Sequence, residues 1–198
     1  MATSPDLSSA QLSLRLAVSS LEKDIASLGW DRPPSLFALV YTKSIFPQLE
    51  AEMDSKQAEQ LRGALTENPL HLTAVLQDHL PSADLMQTLG HLVFGEDVAG
   101  GAVAMERFLV SPQADTEAPE DPKEREQFLL SHPSRQDVRI VAAATRDGNT
   151  WCASRARSED SDDMVAHGES IVPELLAVLK AMLVSDDELR ELATSGDS

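Results

Sequence analysis

The sequence is poor in cysteine and in positive charge, and each shortage excludes a class of structure or partner. Cys152 is the only cysteine among the 198 residues, so an intrachain disulfide is excluded. Lysine and arginine number 16 against 33 acidic residues, which gives a net charge of −17. A surface this negative repels phosphate backbones and anionic membrane leaflets. We therefore expect neither a nucleic-acid partner nor a membrane.

Long apolar runs are missing as well. No run approaches the roughly 20 residues that span a bilayer, and residues 1–9 lack the basic start and apolar core of a signal peptide. Both observations predict a cytoplasmic protein. A length of 198 residues suits one domain, and the apolar fraction of 42% is that of a globular chain. We expect one domain over residues 1–198, with a flexible tail at 1–8, an acidic proline-rich loop at 111–126 and a C-terminal tail at 194–198.

Apolar periodicity predicts a helix towards each end of the chain, with strands between them. Leucine, valine and isoleucine recur at helical spacing over 9–28 and again over 171–183. Strands are predicted at 36–41, 72–77, 102–110, 138–145 and 150–157. Short helices are predicted after Thr42, Asp54 and Pro81, the second with a capping box formed by Asp54 and Gln57. A capping box at Ser185 predicts one more helix.

The sequence Asp147-Gly148 lies between two strand-forming runs and predicts a β-hairpin. A two-residue type I′ turn would pair Ala144 with Trp151, and inclusion of Asn149 in the loop would shift that register. Strict alternation of strands and helices is absent. The pattern predicts an α+β fold, with a mainly antiparallel sheet of about five strands and helices packed on one side. A doubly wound fold is the alternative.

The chain carries no recognisable catalytic motif. It has no Gly-x-Ser-x-Gly elbow and no phosphate-binding loop, and its five histidines lack zinc-hydrolase spacing. Cys152 lies inside a predicted strand, which is typical of a small core side chain. The run from Asp160 to His167 lacks the glycine and distal glutamate of a calcium loop. We therefore predict no catalytic residue, no metal site and no cofactor.

Arginine and aspartate residues gather near the predicted hairpin and offer a candidate binding site. Arginine at a sheet end binds a carboxylate or phosphate through two N–H groups. The alternative is that the nearby aspartates satisfy the arginines. Arg107 occupies the position of a core-facing or rim cation on its own strand. The candidate binding residues are Arg107, Arg139, Trp151, Arg155, Arg157, Asp160, Asp162 and Asp163.

Several short motifs together resemble a family of uncharacterised actinobacterial proteins over about residues 20–183. They are GWDRPP at 29–34, LFALV at 36–40, VAGGA at 98–102, HP at 132–133 with DVRIVA at 137–142, and RDG at 146–148 with WC at 151–152. The resemblance implies an intracellular protein and brings no known activity, cofactor or catalytic residue.

Two functions follow as expectations. The first is a non-enzymatic protein-binding or chaperone-like module that forms a homodimer and recognises another protein, because the chain combines strong negative charge with spare amphipathic helix surface. The second is a small-molecule- or metal-dependent enzyme with an Arg/Asp-lined site. That enzyme would need a concave pocket lined by those side chains.

Overall fold

The computed structural model describes residues 8–81 and 83–184. The predicted capping-box helix at Ser185, the C-terminal tail and nearly all of the N-terminal tail lie outside these residues. Seven α-helices and six strands are described: α1 Ser9–Ser27, β1 Ser35–Tyr41, α2 Thr42–Glu52, α3 Ser55–Glu67, β2 Leu72–His79, α4 Leu85–Leu89, β3 Gly100–Leu109, α5 Pro112–Glu117, α6 Pro122–Ser131, β4 Gln136–Thr145, β5 Thr150–Ala156, β6 Ala166–Gly168 and α7 Pro173–Ala181.

The strands form one sheet in the order β2-β1-β3-β4-β5-β6, and every neighbouring pair is antiparallel. The predicted α+β class with an antiparallel sheet is therefore confirmed. The sheet has six strands rather than about five. The additional strand, β6, spans only three residues, and a segment this short carries no readable alternation.

Helices cover both faces of the sheet, so the prediction of helices on one side is wrong. Val141 and Ala143 of β4 belong to the core cluster that contains Leu14 and Val18 of α1. The alternate residues of β4, including Ala142, pack instead with the apolar residues of α7. A strand covered on both faces is apolar at consecutive positions, as β4 is from Ile140 to Ala144, rather than at alternate ones.

The hairpin between β4 and β5 has a three-residue loop, 146–148, and not the predicted two-residue turn. The Thr145 N–H donates to the Asn149 carbonyl at 3.0 Å, which closes the loop. Gly148 has a φ of +86°, the left-handed conformation that completes a three-residue hairpin loop. The Arg146 side chain, in the loop, donates to backbone carbonyls of the segment before β3, including that of Val98 at 2.8 Å.

This loop shifts the hairpin register by one residue. Trp151 pairs with Ala143 rather than Ala144, and Arg139 pairs with Arg155. Because successive side chains on a strand point to opposite faces, the shift changes which residues share a face. It brings two buried arginines of neighbouring strands to the face that α1 covers.

The acidic segment predicted as a loop contains the whole of α5 and the first turn of α6. Ser111 caps α5 by accepting from the Ala114 N–H, and Asp121 caps α6 by accepting from two backbone N–H groups. The first residue of each helix is proline, Pro112 and Pro122. Proline is favourable there because the first helical N–H has no partner inside the helix. These prolines therefore begin helices, which corrects the prediction of a loop.

Candidate functional site

A buried ion pair fastens α1 to the sheet. The Arg155 guanidinium on β5 donates from Nε and Nη2 to the two carboxylate oxygens of Glu22 on α1, at 2.6 and 2.8 Å. The two side chains are only 3% and 2% exposed. Arg155 also reaches Asp162 at 2.7 Å and Asp160 at 3.3 Å. The hydrogen bond to Glu22 raises the pKa of Arg155, and the bond from Arg155 lowers that of Asp162.

A second cluster holds the turn that follows α1. Trp30 has Arg139 on its ring, with Cζ 4.2 Å from the ring centroid, and Arg157 at 5.4 Å. The indole Nε1 donates to Asp160 at 2.8 Å, and this bond lowers the pKa of Asp160. Arg157 binds both carboxylate oxygens of Asp31 at 2.8 Å, which lowers the pKa of Asp31.

The structure brings together five of the eight sequence-predicted site residues: Arg139, Arg155, Arg157, Asp160 and Asp162. Arg107 is exposed and lies in β3 at a position facing away from α1, and Asp163 is exposed without an ion pair to any described residue. Trp151 lies against Arg15, whose Cζ is 5.3 Å from the ring centroid.

The cluster also contains residues that the sequence reasoning missed, namely Glu22, Trp30, Asp31 and Glu106. The sequence does indicate that Glu22 is buried, because it lies four residues after Val18 and three before Ile25, inside the apolar stripe of α1. A charge at such a position needs a buried partner. Both Arg155 and Arg157 are already paired with carboxylates, so neither offers an unpaired cation to a ligand.

Arg139 differs from these two arginines. Its Nη2 donates to the Gly29 carbonyl at 2.5 Å and to Glu106 at 3.1 Å. Its side chain is 1% exposed, and neither Nε nor Nη1 has a hydrogen-bond partner among the described residues. Stacking on Trp30 covers a face of the guanidinium but leaves the in-plane N–H groups unpaired.

Arg139 lines a cavity of about 380 Å³ between the end of α1 and β2, here called the Arg139 cavity. Its walls are mostly apolar and include Ile25, Leu28 and Phe37. Ser35 and His79 also line it, with the Ser35 Oγ 2.8 Å from the His79 Nδ1. The Ser35 hydroxyl is also 3.2 Å from the Pro33 carbonyl. A small cavity with a few convergent polar groups is the usual form of a ligand site.

A larger depression, here called the α1–β2 groove, adjoins this cavity. It has a volume of about 520 Å³ and runs between α1 and strand β2, lined by residues that include Leu16 and Leu72. The groove and the Arg139 cavity share four lining residues: Ile25, Leu28, Phe37 and Leu76. The two depressions therefore adjoin each other, and Arg139 lines only the cavity.

Within residues 8–81 and 83–184, no group of three or more histidine, cysteine, aspartate or glutamate side chains is arranged to hold a metal ion. His167 pairs with Ala153 in the sheet, and burial lowers its pKa. Burial also raises the pKa of the Cys152 thiol, which is the state of an unreactive core cysteine.

None of the helices that the structure describes has the length and apolar character needed to cross a membrane. The molecule is thus an α+β protein with a six-stranded antiparallel sheet, helices on both faces and a groove beside its edge strand. The chain belongs to the family of PPA1309-like proteins, whose model matches residues 14–184. Comparison with curated proteins and with solved structures gives no significant match.

Proposed function

We propose that this chain is a non-enzymatic binding protein that holds an extended segment of another protein in the α1–β2 groove. The observation that carries the proposal is an apolar groove beside an edge strand. Strand β2 pairs only with β1 in the described sheet, so its outer edge presents backbone groups to an added strand. An actinobacterial origin and a cytoplasmic location belong to the same proposal.

The side chains along this edge favour an apolar ligand. Leu76 of β2 is 49% exposed, and Val75, Leu16 and Leu28 are exposed as well. Leu76, Leu16 and Leu28 line the groove. An extended segment that pairs with β2 would place alternate side chains against these leucines, while main-chain hydrogen bonds supply affinity that does not depend on sequence.

The charge of the chain favours a basic partner. With a net charge of −17, the protein repels a second copy of itself and attracts a segment flanked by lysine or arginine. Homodimerisation through β2 is the competing arrangement. Sedimentation measured at low and high salt separates the two, because screening would promote a homodimer and weaken a basic partner's binding.

Selection from a library of random peptides tests the groove directly. We expect the selected peptides to have apolar residues at alternate positions and basic flanks, and to perturb the amide NMR signals of α1 and β2. Leu76→Lys should abolish binding, because it places a charge in the groove. Val93→Lys is the matched control, since Val93 is 61% exposed and lines neither the groove nor the Arg139 cavity. Equal binding by both variants would place the ligand elsewhere.

The competing enzyme hypothesis relied on an Arg/Asp-lined site around Arg155 and Arg157. Arg155 reaches three carboxylates, and Arg157 binds Asp31 through two hydrogen bonds. Their charges are already neutralised by the protein's own side chains, so this arrangement favours a structural role. The groove is therefore the better-supported site.

A further inference from the structure

We infer that the segment held in the groove is a C-terminus, and that its terminal carboxylate binds Arg139. The inference rests on the proposed function, which it makes more specific. It names the class of partner as a chain with a free carboxylate and an apolar last residue.

Burial of a guanidinium whose N–H groups are unpaired destabilises the ligand-free protein. Arg139 is 1% exposed, and its Nε and Nη1 are without partners in the described part of the chain. Burying a charged donor that makes no hydrogen bond is unfavourable, and a carboxylate is the acceptor that matches the guanidinium in both charge and shape. Both nitrogens are covered by neighbouring atoms, so a carboxylate in the cavity reaches them only after a small shift of the Arg139 side chain or its cover. It would then supply the acceptors that this side chain lacks.

The charges around the cavity favour an anion. Two arginines, Arg32 and Arg139, line it against one carboxylate, Glu106. Glu106 is already engaged, since it accepts from Arg139 and from the Asp31 backbone N–H at 2.8 Å. Arg32 donates only to the Leu28 carbonyl among the described residues, so its charge is not neutralised by an acid. This excess of positive charge occurs in a chain with a net charge of −17.

The remaining walls suit the end of a peptide. Ile25, Leu28 and Phe37 provide apolar surface for a terminal side chain beside the guanidinium. His79 and the Ser35 hydroxyl lie in the same cavity and offer further polar contacts. Because the cavity and the α1–β2 groove share lining residues and adjoin each other, preceding residues of the segment would extend along β2 while the carboxylate lies at Arg139.

Two peptide libraries test this inference on the full-length protein. One displays random decapeptides with free C-termini. The other carries the same random sequence fused at both ends, so that no free terminal carboxylate is present. We expect enrichment of free C-termini that end in an apolar residue. Each selected peptide is then synthesised as the acid and as the C-terminal amide. The acid should bind about tenfold more tightly or better, because the amide loses a charge-assisted pair.

The readout on the protein is the Nε–H NMR signal of Arg139, which should shift with the acid and stay unchanged with the amide. Arg139→Lys should remove the preference for the acid, and Arg32→Gln should reduce it. The acid–amide comparison uses the unaltered protein, so it is valid even if Arg139→Lys fails to fold. Equal affinity of acid and amide overturns the inference but leaves the groove as a binding site. Failure of both libraries to yield a ligand overturns the proposed function and the inference together.

Discussion

Replacement of Arg155 by alanine should unfold this protein at a markedly lower temperature, because it leaves Glu22 charged and buried without its partner. Glu22 is 2% exposed, and the two side chains share a bidentate contact at 2.6 and 2.8 Å. Removal of one partner from a buried ion pair costs about 3–5 kcal/mol. For a chain of this size that loss corresponds to a fall of about 6–20 °C in melting temperature.

The assay is equilibrium unfolding in urea followed by circular dichroism, with a double-mutant cycle. Glu22→Ala should destabilise by a similar amount, and the double variant should lose far less than the sum of the two. Arg157→Ala is the matched control, because its pair with Asp31 is largely exposed and should contribute less than about 1 kcal/mol. A loss below about 1 kcal/mol for Arg155→Ala would refute the structural role of this pair and reopen Arg155 as a ligand-binding residue.

Two further predictions concern acid stability and close packing. Lowered native pKa values mean that the unfolded chain takes up protons first, so stability should fall in two steps on acidification. The histidine step should begin near pH 6.5 and the aspartate step near pH 3.8, the ordinary values from which the native pKa values are lowered. Urea titrations between pH 8 and pH 2 measure both steps, and a single step would contradict the prediction. The groups are His71, His167, Asp31, Asp160 and Asp162. Gly100→Ala should lower the free energy of unfolding more than Gly101→Ala does. The added Cβ overlaps the backbone carbonyl of Ala144 in the first case and the movable Phe94 ring in the second. Gly63→Ala, with open space around it inside α3, should stabilise by about 0.5–1 kcal/mol, and thermal melts of the three variants give the order.

Local patterns predicted the strongly periodic elements well. The helical spacing of apolar residues in α1 and the β-branched and apolar run of β1 place both elements within a residue or so of the observed bounds. The capping box at Asp54 and Gln57 is present as expected. These features depend on neighbours only a few residues apart, which is the range at which a single sequence carries information.

The predicted hairpin register was wrong, and the reason is again physical. A glycine after aspartate suits the two-residue type I′ turn, and it also suits the last position of a three-residue loop. Gly148 adopts the second role, and the choice is assisted by the contacts of Arg146 with carbonyls about 50 residues earlier in the chain. No short-range pattern contains those contacts. The register, and with it the facing of Trp151, is thus decided by tertiary structure.

The candidate site shows the same division between local and distant contacts. The pairing of Arg155 with Asp160 and Asp162 was one of the two alternatives that the sequence offered, because these residues lie within seven positions of one another. Its buried partner Glu22 lies 133 positions away. The Arg139 cavity likewise depends on how far α1 lies from β2, which only the folded chain determines.

Arg139 and Arg155 are paired residues on neighbouring strands, but they differ in their hydrogen-bond partners. Arg155 contacts three carboxylates, whereas Arg139 contacts one carboxylate and one carbonyl. A shortage of acid does not explain the contrast in a chain with 33 acidic residues. Both guanidinium groups are almost wholly buried, so both lose their hydration on folding. Hydrogen bonds within the described chain compensate that loss fully for Arg155 but only partly for Arg139. We therefore propose that the incompletely paired arginine lies where the carboxylate of a ligand binds, whereas the fully paired one fastens the helix that forms the wall of the groove.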